Sequence, residues 1–255
     1  MASSRPITSY SCLTFDCYGT LVDWEQGIWQ ALAPLRSQLD ASHPLANNRP
    51  ATLKRVIETE DAVRQSQPQA LYRTILAQTY TRLAQHLGLS ASPQQAQAFA
   101  NSVSDWPVYP DTVDALQRLK RHFKLVILSN IDADSFQRTL HRQLVGVDFD
   151  AVYTAQDIGS YKPSLQNFAY LVEHCLRDLG VQKSDIVHTA YALKHDLVPA
   201  HQMGLASAWV DRKHADSVMG GHLDDYKQQV GFSWHYGTMG EMADAVDALA
   251  AQSKQ

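Results

Sequence analysis

Lys124-Leu125-Val126-Ile127-Leu128-Ser129-Asn130 is the stretch on which the fold is decided. Four apolar residues run without a polar alternate, a pattern that suits a strand covered on both faces, as in a parallel sheet with helices above and below. Shorter runs of this kind lie upstream at Tyr10 to Asp16 and downstream at Ala151 to Gln156, Asp185 to Ala190, Ala206 to Asp211 and Phe232 to Tyr236. Helical periodicity fills most of the intervals from about residue 109 onward, and this predicts a doubly wound α/β domain.

Between Trp24 and Val108 the alternation stops. Trp24, Ile28, Leu32, Leu35 and Leu39 outline one helix, which Pro34 should kink or end. Leu53, Val56, Ile57 and Val63 outline a second, and Leu71, Ile75, Leu76, Leu83 and Leu87 a third. A fourth begins at Ser92, with Pro93 in its first position and Gln95 completing a capping box. Ala41 to Thr52, rich in Asn, Pro and Ser, reads as a surface loop. The segment Trp106-Pro107-Val108-Tyr109-Pro110-Asp111 returns the chain to the α/β domain, with Asp111 placed to cap the next helix. The expected domains are thus 8–23 with 109–255, and a helical insert over 24–108. An insert leaving after the first strand lies over the carboxyl ends of the strands, where open α/β sheets bind ligands.

Length and composition fit this division. The chain has 255 residues, 45% hydrophobic and 19% charged, enough for a core and an insert. Its 22 Lys and Arg against 26 Asp and Glu give −4 with His neutral, which argues against a nucleic-acid scaffold. Cys12, Cys17 and Cys175 have neither the count of a disulfide framework nor the spacing of a zinc site. No apolar leader or stretch of ~18 apolar residues occurs, so the expectation is a soluble, cytoplasmic protein without nucleic-acid or membrane partners.

The chemistry gathers at strand ends. Leu13-Thr14-Phe15-Asp16 turns through Cys17-Tyr18-Gly19-Thr20-Leu21, which exposes a carboxylate beside backbone N–H groups. Asp16 is a candidate nucleophile, or a simple turn cap. Ser129 and Asn130 close another strand, Lys162 in Tyr161-Lys162-Pro163 precedes a helix, and His195-Asp196 follows the strand Asp185 to Ala190.

This series resembles the haloacid dehalogenase superfamily over nearly the whole chain. Phe15-Asp16-Cys17-Tyr18-Gly19-Thr20-Leu21 is similar to its first motif, with Ser129, Lys162 and Asp196 in the places of the second, third and fourth. The resemblance implies a Rossmann-like core with an all-helical cap and an Asp16 nucleophile. In the phosphatases of that superfamily an Asp two residues after the nucleophile protonates the leaving alkoxide; Tyr18 stands there instead, as in the L-2-haloacid dehalogenase branch. Halide leaves without a proton, so that acid is dispensable. Lys194 and His195 beside Asp196 supply few oxygen ligands for magnesium, and the expectation is a site without metal or cofactor.

The implied reaction is displacement of halide from a short (S)-2-haloacid by Asp16, followed by hydrolysis of the ester. By the same resemblance, Lys162 keeps Asp16 ionised, Thr20 and Ser129 donate to Asp16 or to the substrate carboxylate, Asn130 helps receive halide, and Asp196 orients Lys162 or water. Tyr18 would form an aromatic wall, and Cys17 and His195 would adjoin the substrate, although alternation turns the Cys17 side chain away. His188 is either a packing residue or a proton relay. Tyr191 and Leu193 stand where the dehalogenases place a Ser and an Asn that position water. Arg64 and Arg73 are the insert's candidates for a halide grip, or members of solvated helix faces. Trp24 and Trp106, at the two crossings, are hinge packing or substrate wall. The alternatives are a lyase, dehydratase or other hydrolase of a larger metabolite on the same fold, a phosphatase, or a silent binding protein. The dehalogenase resemblance also suggests a homodimer.

Overall fold

The computed structural model describes residues 5–212 and 217–252; part of the polar N-terminus, and residues 213–216 and 253–255 of the expected core, lie outside them. Six strands, β1 (Cys12–Phe15), β2 (Lys124–Ser129), β3 (Ala151–Thr154), β4 (Ile186–Ala190), β5 (Ala206–Val210) and β6 (Trp234–Tyr236), form one parallel sheet in the order 3-2-1-4-5-6. β1 is therefore flanked on both sides, and its four residues are all buried. The apolar run of β2 is shared between two faces: Leu125 and Ile127 join the larger core, whereas Val126 and Leu128 join a second core with Phe168, Leu171 and Cys175. All three cysteines are free and buried.

Helices α1 (Trp24–Ala31), α2 (Ala33–Arg36), α3 (Arg49–Ser66), α4 (Tyr72–His86) and α5 (Pro93–Asn101), with a 3₁₀ turn over Ser102–Asp105, make up the helical segment that follows β1. Helices α6 (Thr112–Leu119), α7 (Ala133–Arg142), α8 (Ala155–Ile158), α9 (Leu165–Leu179), α10 (Val198–Gln202), α11 (Leu223–Tyr226) and α12 (Met239–Gln252) belong to the sheet's crossovers and tail. No described helix is long and apolar enough to cross a membrane.

Local chemistry accounts for several boundaries. Ser92 and Gln95 close the expected capping box of α5. Pro34 sits in the first turn of α2, so the break falls just before it, at Leu32. Two expectations are corrected. The loop expected through Thr52 ends at Asn48, whose side chain accepts from the Ala51 amide while Pro50 occupies the first turn of α3. Asp111 stands at the N-cap position of α6, but its side chain does not cap the helix; both its oxygens accept from Nη1 of Arg212, at 2.7 and 2.9 Å, and the Gly240 amide donates to one of them at 3.0 Å.

Exit from the sheet and return to it lie side by side. Val22 and Val108 form an antiparallel bridge, the Asp23 amide donates to the Pro107 carbonyl at 2.8 Å, and the Tyr109 amide to that of Leu21 at 3.2 Å. Both tryptophans of this region are buried. Trp106 packs so closely on Gly27 that a Cβ there would lie 2.2 Å from the indole ring. Gly27→Ala should therefore lose about 1–3 kcal/mol through overpacking, although alanine is the better helix former by roughly 1 kcal/mol. Urea unfolding checks this; unchanged or greater stability would refute the packing argument.

Candidate active site

The strand-end carboxylate is set by a tight turn. The Asp16 amide donates to Thr189 on β4 at 3.1 Å, and the amides of Leu21 and Val22 then both return to the Cys17 carbonyl. Gly19 makes this possible at φ 105°. The turn brings Thr20 back onto the nucleophile candidate, its hydroxyl donating to Asp16 Oδ2 at 2.7 Å. Thr20 is fixed in turn by the Tyr191 amide, which donates to its hydroxyl at 3.0 Å, and by Arg212, whose Nε donates to its carbonyl at 2.9 Å.

Lys162 reaches the other oxygen. Its buried ammonium donates to Asp16 Oδ1 at 2.8 Å, to Asp196 Oδ1 at 2.6 Å and to the Leu128 carbonyl at 2.9 Å, which uses all three N–H groups. Asn130 positions it by gripping its peptide: Lys162 N donates to Asn130 Oδ1 at 2.7 Å, and Asn130 Nδ2 to the Lys162 carbonyl at 3.1 Å. Behind Asp196, His188 Nε2 lies 3.1 Å from Oδ1 and His188 Nδ1 lies 2.9 Å from the Thr14 hydroxyl.

One ammonium thus serves two buried carboxylates. Burial and then the neighbouring Asp196 push the Asp16 carboxyl up, against the opposing pull of Lys162 and Thr20. Burial acts on Asp196 in the same sense, but Lys162 and His188 outweigh it and hold that group below the usual range. Burial also pulls on the Lys162 ammonium, and the two carboxylates overcome it and raise the group.

These groups open into a cavity of about 80 Å³ between the sheet and the helical segment. The sheet side contributes Asp16, Tyr18, Ser129, Asn130, Lys162, Ala192, His195, Asp196 and Met219. The facing helices contribute Trp24 from α1, Ile57, Glu60, Asp61 and Arg64 from α3, and Tyr72 from α4. Glu60 is buried, bonded to Arg64 and approached by the Tyr72 hydroxyl at 3.4 Å. Ser129 Oγ is buried without a hydrogen-bond partner among the described residues. Burial, with Arg64 after it, lowers His195 to about 4, so its imidazole is neutral at neutral pH.

Seven of the nine expected site residues therefore line one cavity: Asp16, Tyr18, Ser129, Asn130, Lys162, His195 and Asp196. Thr20 stands behind Asp16 as its donor. Cys17 is a correction, because its fully buried thiol belongs to the hydrophobic core and is absent from the cavity wall. The register pairs Phe15 with Ile127, which leaves Ser129 one residue farther out along its strand than Asp16. Tyr18 is a wall with a committed hydroxyl, 2.7 Å from Thr139 Oγ1. Tyr191 turns its hydroxyl to Ser217, and Leu193 is buried beside Ala190, Leu197 and Trp209. His188 is a hydrogen-bonded packing residue behind Asp196.

Of the two arginines, Arg64 faces the cavity while Arg73 pairs with Asp134. Trp24 lines the cavity, and Trp106 supports Tyr18 edge-on at 5.8 Å between ring centres. The acidic wall on α3 was not expected from the sequence. Its signal is there, since Glu60 and Arg64 continue the apolar spacing of Leu53, Val56 and Ile57, where a helix normally buries hydrophobic groups.

The donor set does not fit magnesium. The two carboxylates that meet at the strand ends share a lysine ammonium bonded to both, and an octahedral oxygen shell would need further ligands in its place. Among the described residues no group of three or more His, Cys, Asp and Glu side chains is arranged to hold a metal ion.

Comparison with known proteins follows the same lines. The haloacid dehalogenase-like hydrolase family matches residues 10–189. (S)-2-haloacid dehalogenases of Pseudomonas putida and Pseudomonas fluorescens are each 26% identical over 130 residues, 51% of this chain and 55% of theirs. The chain thus spans about half the length of the curated relatives it matches. The structure of L-2-haloacid dehalogenase from Xanthobacter autotrophicus aligns with a TM-score of 0.74 at 19% identity, over 94% of this chain and 99% of that one. A magnesium-bound HAD-hydrolase of Bacillus subtilis aligns with a TM-score of 0.70 at 16% identity, over 93% and 99%. These structural likenesses are likenesses of fold, shared by a dehalogenase and a magnesium-bound protein alike.

Proposed function

Since the chain belongs to the haloacid dehalogenase-like hydrolases, we propose that it hydrolyses the carbon–halogen bond of a short (S)-2-haloacid, with Asp16 as nucleophile and without a metal. The observation that carries this reading is Tyr18. Where a phosphoryl-transfer site needs an acid beside the nucleophile, this cavity has an aromatic wall whose hydroxyl is bonded to Thr139. Burial raises that hydroxyl well above its ordinary range, so it is a poor proton donor. A leaving group that departs as an anion needs none. The small cavity favours a substrate of few heavy atoms over a larger metabolite.

In the first step an Asp16 oxygen bonds to carbon 2 from the face opposite the halogen, and the halide leaves with the bonding pair. Lys162 and Thr20 orient the attacking carboxylate. In the second step water attacks the Asp16 ester carbonyl, releasing the inverted 2-hydroxy acid, the free carboxylate and one proton. Asp196 and the neutral imidazole of His195 line the same cavity as Asp16 and are the groups available to receive a proton from that water. Ser129, without a hydrogen-bond partner among the described residues and on the same wall, can donate to the substrate carboxylate.

A single turnover of (S)-2-chloropropionate in heavy-oxygen water tests the scheme. One oxygen label is expected on Asp16, with chloride release unaffected by prior chelation. Label only in the product, or activity lost to chelator and restored by magnesium, would overturn it.

A further inference from the structure

Lys162 and Arg64 are the only Lys or Arg side chains in the cavity wall among the described residues, and each is bonded to two carboxylates. Lys162 holds Asp16 and Asp196; Arg64 holds Glu60 and, at 3.3 Å, Asp61. A substrate carboxylate meets no uncommitted cation, and burying it unpaired is costly. Freeing Lys162 would release the nucleophile. Freeing Arg64 costs less, because Glu60 can become neutral by taking up a proton while Asp61 keeps its hold.

We infer that Glu60 and Arg64 form a proton-gated anion site, in which Glu60 takes one proton from solvent and yields Arg64 to the carboxylate of the incoming substrate. On product release the proton returns to solvent and the pair re-forms. The class of anion rests on the haloacid reading above; the gate rests on the geometry. Glu60 is 5% exposed on α3, at the cavity wall. Arg64 keeps a buried Nε without a hydrogen-bond partner among the described residues, so the carboxylates it holds do not satisfy its guanidinium fully. Burial raises the Glu60 carboxyl, against the pull of Arg64.

The charged and titratable groups around Glu60 are few. Arg64 and Asp61 belong to its own helix, Tyr72 comes from α4 with the Trp24 indole donating to it at 3.3 Å, and Tyr161 lies under Arg64. Asp16, Lys162, His195 and Asp196 face it across the cavity. Asp16 also titrates, so the decisive readout is the difference between wild type and Glu60→Gln.

Propionate binding, followed by calorimetry in two buffers of different ionisation heat, tests the gate. Wild type should take up about one proton per propionate and bind roughly tenfold more weakly per pH unit above the Glu60 titration. Glu60→Gln should bind tighter than wild type at every pH above the Glu60 titration, by roughly tenfold for each pH unit above it, with less proton uptake. Tyr72→Phe is the second variant. Its lost hydroxyl normally lowers Glu60, so the pH at which binding fails should move up.

The gate is wrong if Glu60→Gln keeps the wild-type pH dependence and proton uptake, binds more weakly at every pH, or if no variant binds propionate. Chloride release from (S)-2-chloropropionate by the wild type separates the two readings. Release together with ungated binding overturns this inference alone; no release overturns the haloacid reading.

Discussion

Asp16→Asn is expected to abolish turnover, lowering kcat by roughly 10⁴-fold or more, because no second carboxylate can take over as nucleophile. Asp196 is the nearest candidate, but Lys162 and His188 already hold one of its oxygens, and Thr20 does not reach it. The same substitution should leave the fold at least as stable as before. The Asp16 carboxyl is raised in the folded protein by burial and by Asp196. A group with that sign binds protons more tightly folded than unfolded, so its stabilisation is present at low pH and lost as pH rises through the folded value. Once ionised, Asp16 is therefore a burden on the fold, and asparagine removes it, leaving one ammonium to one carboxylate. Thermal unfolding at neutral pH should show an unchanged or higher midpoint, by about 2–4 °C for each kcal/mol gained. A lower midpoint with turnover lost would mean that Asp16 supports the structure and is not strained for reactivity.

Lys162→Met should damage both properties. Without the ammonium, two buried carboxylates face one cavity with no cation between them, and breaking such a cluster from the cationic side costs about 3–5 kcal/mol. Both carboxyls would then be driven upward, so the variant should recover stability as the pH falls and they take up protons. Urea unfolding at about pH 5 and about pH 8 measures this, with the gap from wild type expected to widen at the higher value. Turnover should fall by roughly 10³-fold or more, since the ammonium that orients Asp16 and favours its ionised form is gone. A gap that is equal at both pH values would show that the lysine acts by packing alone.

The contrast between these two variants bears on what a sequence can disclose. Asp16, Lys162 and Asp196 could be found in order because each sits where a parallel sheet must present it, at a strand end or before a helix. The doubly wound sheet was legible for a related reason, since β2 divides its apolar residues between two cores and so cannot alternate. Two local rules failed where a distant partner intervened. Asp111 has the composition of a helix cap, but Arg212, far along the chain, claims its carboxylate. Glu60 and Arg64 are spaced as an i,i+4 ion pair but fall on the apolar stripe of α3, and the packing of α3 over the strand ends turns that stripe into a cavity wall. The loop ending at Asn48 was misjudged by a different error: Asn48 and Pro50 are a start signal, and counting polar residues hid it.

The adjacent exit and return of the chain at Val22 and Val108 has an evolutionary consequence. A segment whose two ends are already held together can be lengthened or exchanged at little cost in closure entropy, about 0.6 kcal/mol for each doubling of a flexible loop, provided that its replacement still covers the apolar core it shares with β1. The helical segment is therefore a cassette: grafting a different one between residues 23 and 108 should leave Asp16, Lys162 and Asp196 assembled. Selection could retune what enters the cavity without touching the chemistry beneath it.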